Sequence, residues 1–537
     1  MQKLLQSLKK IDIYRYLIVF VCLVYMIVKS IDYVNAGVNY DQMMSFRPYC
    51  VAFGIALIAM MPIKTWFNIW SLIYIPVCYV VTHFLYEKQL IYDVCGYYFP
   101  EIIRLGKVVA LLYGIVIIAV IVDLIKNKSY KNLKTMNPVL GIIWLVFIIA
   151  FSLLHSQYHY TWYIIVTFTL TLYIMHRDET KKMLISAIRM AIVCSFIYVL
   201  YKSLRHRPYD TERYMSYFVN SNACGMYFAC LDMTLYSKIS EWWEKKSLEG
   251  FAEDKKLKRF RLLALIFYIG MFGVAAVMTI FNYTRTTLMG MFFAIGVMLV
   301  GRLIRKDSIK DMIVRLAVLL LTVVVLFYPV FLAMRYIPAF FDEPTLISWE
   351  YNEEARVKQG DPIDSPKYTT IQEFLTLALG KWGIYVDLES PKEEAEDVVI
   401  DTERDVTNGR VDIWKKYSSD LGILGHYPPE VIMDDGTEVY HAHNTYLHVS
   451  YMYGLIFGVI YVVLLGMTLL YSFINFIRCS ENKTINLYTM MLISTSVLAQ
   501  MTETIIHPCV FLCFMMYIVI GAVANTKVAR DNKDKVK

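Results

Sequence analysis

Four short stretches of the chain carry polar side chains suited to chemistry, each at the edge of an apolar block. The first runs from Arg213 through Asn220 and Asn222 to Gly225, and the second holds Asn282, Thr284, Arg285, Thr286 and Thr287. The third comprises Asn408, Gly409, Arg410 and Trp414, followed by Gly422 and Gly425; the fourth comprises His441, His443, Asn444, Tyr446 and Leu447. A guanidinium is a planar fork that bonds two phosphate oxygens at once. An imidazole, with an ordinary pKa of about 6.5, can take a proton from a hydroxyl at neutral pH. Singly, each stretch has a plain explanation. A boundary Arg snorkels to headgroups, Asn220 and Asn222 cap a helix, His443 donates at a helix end, and Gly454 with Gly458 lets helices pack closely. Gathered on one face they say more, because two or three guanidiniums in a partly desolvated cavity require an anion. Arg with His at a membrane surface points to phosphate-ester or pyrophosphate chemistry on a lipid-carried substrate.

The elements that must position these groups follow from composition and clustering. Of 537 residues, 57% are hydrophobic and 18% charged, and the mean hydropathy is +0.47. The apolar residues fall in blocks about as long as a bilayer is thick. An all-α polytopic membrane protein follows; disordered, collagen-like and disulfide-rich secreted chains are excluded, and a water-soluble enzyme nearly so. Windows of about 20 residues place spans near 14–30, 48–63, 66–84, 105–125, 138–154, 159–176, 184–201, 222–238, 262–281, 286–303, 312–333, 445–477, 487–502 and 508–524. That is about 12–14 crossings, since 48–63 is short and 445–477 overlong. Lys9 and Lys10 precede the first block without a small-residue cleavage site, so it reads as an uncleaved anchor. The ten Cys lie mostly in or beside apolar blocks without metal spacing and read as apolar fillers.

The net charge of +7 is a topology signal here and does not imply nucleic acid. Basic connections at Lys126–Lys134, Arg177–Lys182, Lys245–Arg261, Arg302–Lys310 and Lys527–Lys537, with the N-terminal Lys3, Lys9, Lys10 and Arg15, fall on one face under alternate crossing. That face is expected to be cytoplasmic, with both termini inside. Trp242 and Trp243, beside Lys245 and Lys246, read as an inner interface anchor. The chain divides into spans over 1–333, a large outer loop over 334–443, and further spans with a tail over 444–537. The loop's acidic middle, with Glu343, Glu350, Glu353, Glu354 and the run Lys392 to Asp397, reads as a solvated insertion. Its aromatic residues (Trp349, Tyr351, Trp382, Tyr385, Tyr417, Tyr427) suit a small loop core, or stacking on sugar rings. His426, His441 and His507 read as structural. All four polar stretches fall on the outer face.

Together the stretches Arg213 to Asn222, Thr284–Thr286, Gly409 to Trp414 and His443 to Leu447 resemble the bacterial O-antigen ligase and O-antigen polymerase superfamily. The order of the motifs, their spacing to spans and the large loop before the His motif all match. The resemblance covers roughly 200–475. Ser221 stands where the family often has Pro, Gly454 to Gly458 is one residue longer than usual, and the insert near 342–405 is long. The resemblance implies a membrane glycosyltransferase of the GT-C type at the outer face of the cytoplasmic membrane, inverting and metal-independent. It would move a glycan from an undecaprenyl diphosphate carrier to a hydroxyl of a glycan, lipid or protein acceptor. The sequence shows no DxD or ligand cluster near the site, so no metal or other cofactor is expected. In that mechanism Arg213 and Arg285 hold the leaving diphosphate and His443 takes the proton. Arg410 joins the clamp or anchors the loop, and Asn222, Asn220, Asn444 and Tyr446 bind or orient neighbours.

Ligase and polymerase share this donor site and differ in acceptor; the ligase fits the His443 to Leu447 stretch and the late loop slightly better. A polysaccharide flippase is the alternative of another class. It should place ionisable groups near the bilayer midplane, whereas here they gather at one face, with Arg189 the main exception. A sensor would need an inner signalling domain, for which the inner connections are too short.

Overall fold

Inside a bilayer no water bonds the backbone, so each apolar block must satisfy its own N–H and C=O groups as a helix. The computed structural model describes residues 10–35, 46–87, 100–129, 136–154, 159–205, 209–210, 213–218, 221–245, 254–337, 341, 410–426, 430–479, 482–505 and 511–526. The early helices are α1 (Lys10–Asn35), α2 (Phe46–Met60), the single turn α3 (Ile63–Trp66), α4 (Ile69–Glu87), α5 (Pro100–Lys126), α6 (Pro138–Leu154), α7 (His159–Ile174) and α8 (Asp178–Arg205). A two-residue hairpin, β1 (Tyr209–Asp210) with β2 (Arg213–Tyr214), leads into α9 (Ser221–Glu244). Then come α10 (Lys255–Asn282), α11 (Arg285–Ile304) and α12 (Ile309–Tyr336). After residues 342–409, which contain the expected acidic insert and lie outside the described residues, follow α13 (Arg410–Ser419) and the hairpin β3 (Val431–Ile432) with β4 (Glu438–Val439). The chain ends in α14 (Thr445–Tyr453), α15 (Leu455–Arg478), α16 (Lys483–Ala499) and α17 (Phe511–Ala524).

The chain is an all-α polytopic membrane protein. Seven described helices, namely α1, α5, α8, α10, α11, α12 and α15, are long and apolar enough to cross a membrane, and four shorter apolar stretches lie in α2, α4, α6 and α17. Leu320, Leu321, Val324 and Val325 of α12 are exposed, as suits side chains facing lipid. Helices α9 and α16 are missing from the seven for a physical reason. They pack against each other and against α11 in the interior, so they need not be apolar. Asp232, Thr234 and Ser237 of α9 and Ser494, Thr495 and Ser496 of α16 are all buried.

The overlong block at 445–477 is not one crossing. It breaks at Gly454, whose φ of +92° favours glycine. A Cβ there would lie 2.2 Å from the Ile423 carbonyl oxygen, because the 422–426 segment packs across the break. Leu455 N–H donates to the Gly422 carbonyl at 2.9 Å and His426 N–H to that of Tyr451 at 3.0 Å. The nine residues of α14 span only about 14 Å, well short of a bilayer.

At the far end of α9, Arg189 forms an ion pair with Glu241 at 3.0 Å and its Nε donates to Ser237 at 3.1 Å, so the charge of this Arg is paired within the bundle, although its buried Nη2 makes no hydrogen bond. Trp243 Nε1 donates to Asp311 at 3.1 Å, and Lys245 sits 3.7 Å over the Trp242 ring. Beside Arg189, a further ionisable group among the described residues departs from the expected concentration at the helix ends. Asp232, midway along α9, is fully buried; its Oδ2 accepts from Thr279 at 2.7 Å and its Oδ1 has no hydrogen-bond partner.

Candidate functional site at the α9, α11, α14 and α16 ends

The site begins with Asn282, which ends α10. Its amide donates to the carbonyls of Tyr214 and Ser221, both at 2.8 Å, tying the β1–β2 hairpin and the start of α9 to the α10–α11 turn. Thr284 Oγ1 donates to the Asn282 side chain at 2.5 Å and to the Ser221 carbonyl at 3.2 Å. Gly225 permits the approach, since a Cβ there would lie 2.2 Å from Thr287 Oγ1. On the other side, the hydroxyls of Thr286 and Thr502 are 2.7 Å apart. Arg285, half-buried at the first position of α11, is thus set between a threonine bonded to α9 and one bonded to the segment after α16.

That segment, Gln500 to Ile505, is fastened by the helix that follows the His motif. Thr445 N–H donates to the Gln500 carbonyl at 2.8 Å. Its hydroxyl donates to the Glu503 carbonyl at 2.6 Å and accepts from Ile505 N–H at 2.7 Å. Asn444 caps α14, accepting from Leu447 N–H at 3.1 Å. Tyr446 braces α14 on α16, its hydroxyl donating to the Val497 carbonyl at 2.8 Å.

The segment before α14 contributes α13, and its Tyr417, Val431 and Ala442 form a small core with Tyr451 of α14. Trp414 Nε1 donates to the Ala442 carbonyl at 2.9 Å and Tyr417 to that of Val439 at 3.0 Å. These bonds hold the chain entering His443, whose φ of +47° lies in the left-handed region that a histidine seldom adopts. His426 stacks on Tyr451 at 4.4 Å between ring centroids and serves this packing.

Glu503 lies at the centre and is 8% exposed. Its Oε1 accepts from Asn222 Nδ2 at 2.7 Å and from Arg410 Nη2 at 3.0 Å. Its Oε2 stands 3.8 Å from His443 Nδ1. Arg410 also donates through Nη1 to the Thr502 carbonyl at 2.5 Å. Edge-on to His443, at 4.3 Å between centroids, sits His441. His441 is exposed along one edge, yet the protein packed round its ring pushes the imidazole down, first by desolvation and next through His443; the pull of Glu503 the other way is outweighed, and Arg410 adds to the lowering.

Of the expected site residues, Asn222, Arg410 and His443 meet on one carboxylate, and Arg285 stands at the adjoining corner. Asn444 and Tyr446 shape and fasten α14. Arg213 pairs in β2 with Asp210 through the backbone; its side chain, like the whole of Asn220, lies outside the described residues, as do Trp349, Tyr351, Trp382, Tyr385, Tyr427 and His507. Glu503 was not foreseen. The only signal was a carboxylate alone in the apolar connection between two late spans, on the same face as the four polar stretches. Among the described residues no three His, Cys, Asp or Glu side chains are grouped as metal ligands. Chemically the cluster offers an imidazole beside a buried carboxylate, which can take a proton, and guanidiniums, which can hold an anion.

Comparison with known proteins gives no matching family model, curated protein or solved structure.

Proposed function

We propose that the chain is an O-antigen ligase-like glycosyltransferase in the cytoplasmic membrane, with both termini inside and this site at the outer face. It transfers a glycan from an undecaprenyl diphosphate carrier to an acceptor hydroxyl, with inversion. The observation that carries the reading is the meeting of Asn222, Arg410 and His443, from separate segments, on Glu503. A proton acceptor is thereby built at the helix ends where Arg285 begins α11.

In the proposed step the acceptor hydroxyl gives its proton to His443 as its oxygen bonds to the anomeric carbon. The bond from that carbon to the carrier diphosphate breaks, and the diphosphate leaves with the electron pair. Arg285, with Arg213 from the neighbouring hairpin, holds the charge that develops. Arg410, already engaged by Glu503 and Thr502, anchors the outer loop and leaves the clamp to the other two. An assay of lipid-linked glycan consumption tests this: His443→Ala and Arg285→Ala should each lose most turnover, and normal turnover in both removes the reading. Cells lacking the protein separate the two acceptor classes. Full-length chains stranded on the carrier indicate a ligase, single repeats attached to acceptor a polymerase.

A second reading, a polysaccharide flippase, draws on Asp232, buried midway along α9 with one oxygen unbonded. Lipid-linked glycan movement across vesicles that depends on Asp232 and not on His443 would favour it.

A further inference from the structure

A buried carboxylate among polar side chains from three other segments is costly to maintain unless each bond serves it. Glu503 uses both oxygens, and unequally. Oε1 is shared by Asn222 and Arg410, whereas Oε2 faces only His443 among its described ring and charge partners. At 3.8 Å this is an ion-pair distance, longer than a hydrogen bond, and such contacts in ligand-free sites shorten when substrate packs against them. His443 Nδ1 is buried without a hydrogen-bond partner, and Oε2, 3.8 Å away, is the carboxylate oxygen it faces.

We propose that Glu503 is a positioning residue: Oε2 fixes the ring of His443 with its Nδ1 protonated, leaving Nε2 to take the acceptor's proton, while Oε1 ties Arg410 and Asn222 to the same carboxylate. A carboxylate that orients an imidazole and stabilises the imidazolium is a general device for bases of this kind. The charged and titratable groups facing His443 are Glu503, His441 beside it, Arg410 from α13 and the buried His448 of α14. Of these only Glu503 brings a negative charge. Arg410 acts on His443 through Glu503, since it withdraws charge from the shared carboxylate.

The inference rests on the proposed function, so its test is chosen to run without substrate. Diethyl pyrocarbonate acylates neutral imidazole, and His443 keeps 29% of its side chain exposed to it. Labelling of His443 is followed against pH by peptide mass spectrometry on the full-length protein in lipid nanodiscs. Loss of the anion in Glu503→Gln should lower the pH of half-maximal labelling, and Arg410→Gln should raise it. Glu503→Asp, which keeps the charge, should stay near the native value. An unmoved midpoint in Glu503→Gln, or a shift in the same direction in both Gln variants, overturns the inference; if Glu503→Gln does not fold, the sign in Arg410→Gln decides. Opposite shifts combined with normal glycan turnover in His443→Ala keep the pair and remove glycosyl transfer. Unmoved labelling with turnover lost in His443→Ala does the reverse.

Discussion

Arg410 and Glu503, 93 positions apart, are joined by a 3.0 Å hydrogen bond, and the same guanidinium bonds the carbonyl of Thr502. This fork-shaped contact docks the first residue of α13 onto the segment that follows α16. It joins the segment that carries α13 to the membrane bundle at the point where the candidate base stands.

Removing Arg410 leaves Glu503, 8% exposed, without its cation. Arg410→Ala should destabilise the protein by about 3 kcal/mol, the low end for breaking a buried pair, because Arg410 itself is 22% exposed. Arg410→Lys should recover only part, since a point charge cannot bond Thr502 and Glu503 together. Thermal unfolding in detergent measures the stability change, and limited proteolysis near α13 should report earlier release of the loop.

Arg285→Ala should lower the rate of lipid-linked glycan turnover about a hundredfold, the usual loss for one pre-aligned donor to developing charge. Arg285→Lys should fail almost as badly, because under the proposed function the leaving diphosphate needs the fork. A lysine variant within about twofold of native activity would show that charge alone suffices.

Gly225→Ala tests the approach of α9 to the α10–α11 turn. Its Cβ would lie 2.2 Å from Thr287 Oγ1 and 2.7 Å from Asn282 Oδ1. The Asn282 side chain is already committed to Tyr214 and Ser221 and cannot give way freely. A loss of about 1–3 kcal/mol is expected, as for other overpacked interiors, together with reduced turnover, since Arg285 hangs on the same turn. Unfolding midpoints and the glycan assay check both.

The lowered imidazole of His441 gives the fold a pH dependence, which the residue's exposure to solvent keeps small. Its folded value is pushed down to about 4, against about 6.5 in an unfolded chain. Between those values the unfolded state binds the proton that the folded state refuses, so stability falls as pH drops through that window. His441→Gln should therefore narrow the gap between unfolding temperatures measured at pH 7 and pH 5. An unchanged gap would show that His441 does not carry the dependence.

The helices and their approximate limits were legible in the chain itself, because in a membrane apolar length and backbone bonding constrain each segment locally. The break at Gly454 was not, since an apolar run reads alike whether the helix continues or folds back. What breaks it is the 422–426 segment lying across it. Asp232 escaped notice for a related reason: α9 reads as a span, and only packing showed that no part of its middle faces lipid.

By itself, the sequence determined a polytopic α-helical membrane protein and singled out Asn222, Arg285, Arg410 and His443 by residue type at helix edges. Tertiary structure alone decided that three of them converge on Glu503 and that Arg410 is an anchor. A carboxylate's role depends on which donors reach it, and here the donors lie as far as 281 positions away along the chain. Spacing records the order of such groups along a chain, whereas the helix packing that brings them together depends on contacts made everywhere else in the bundle.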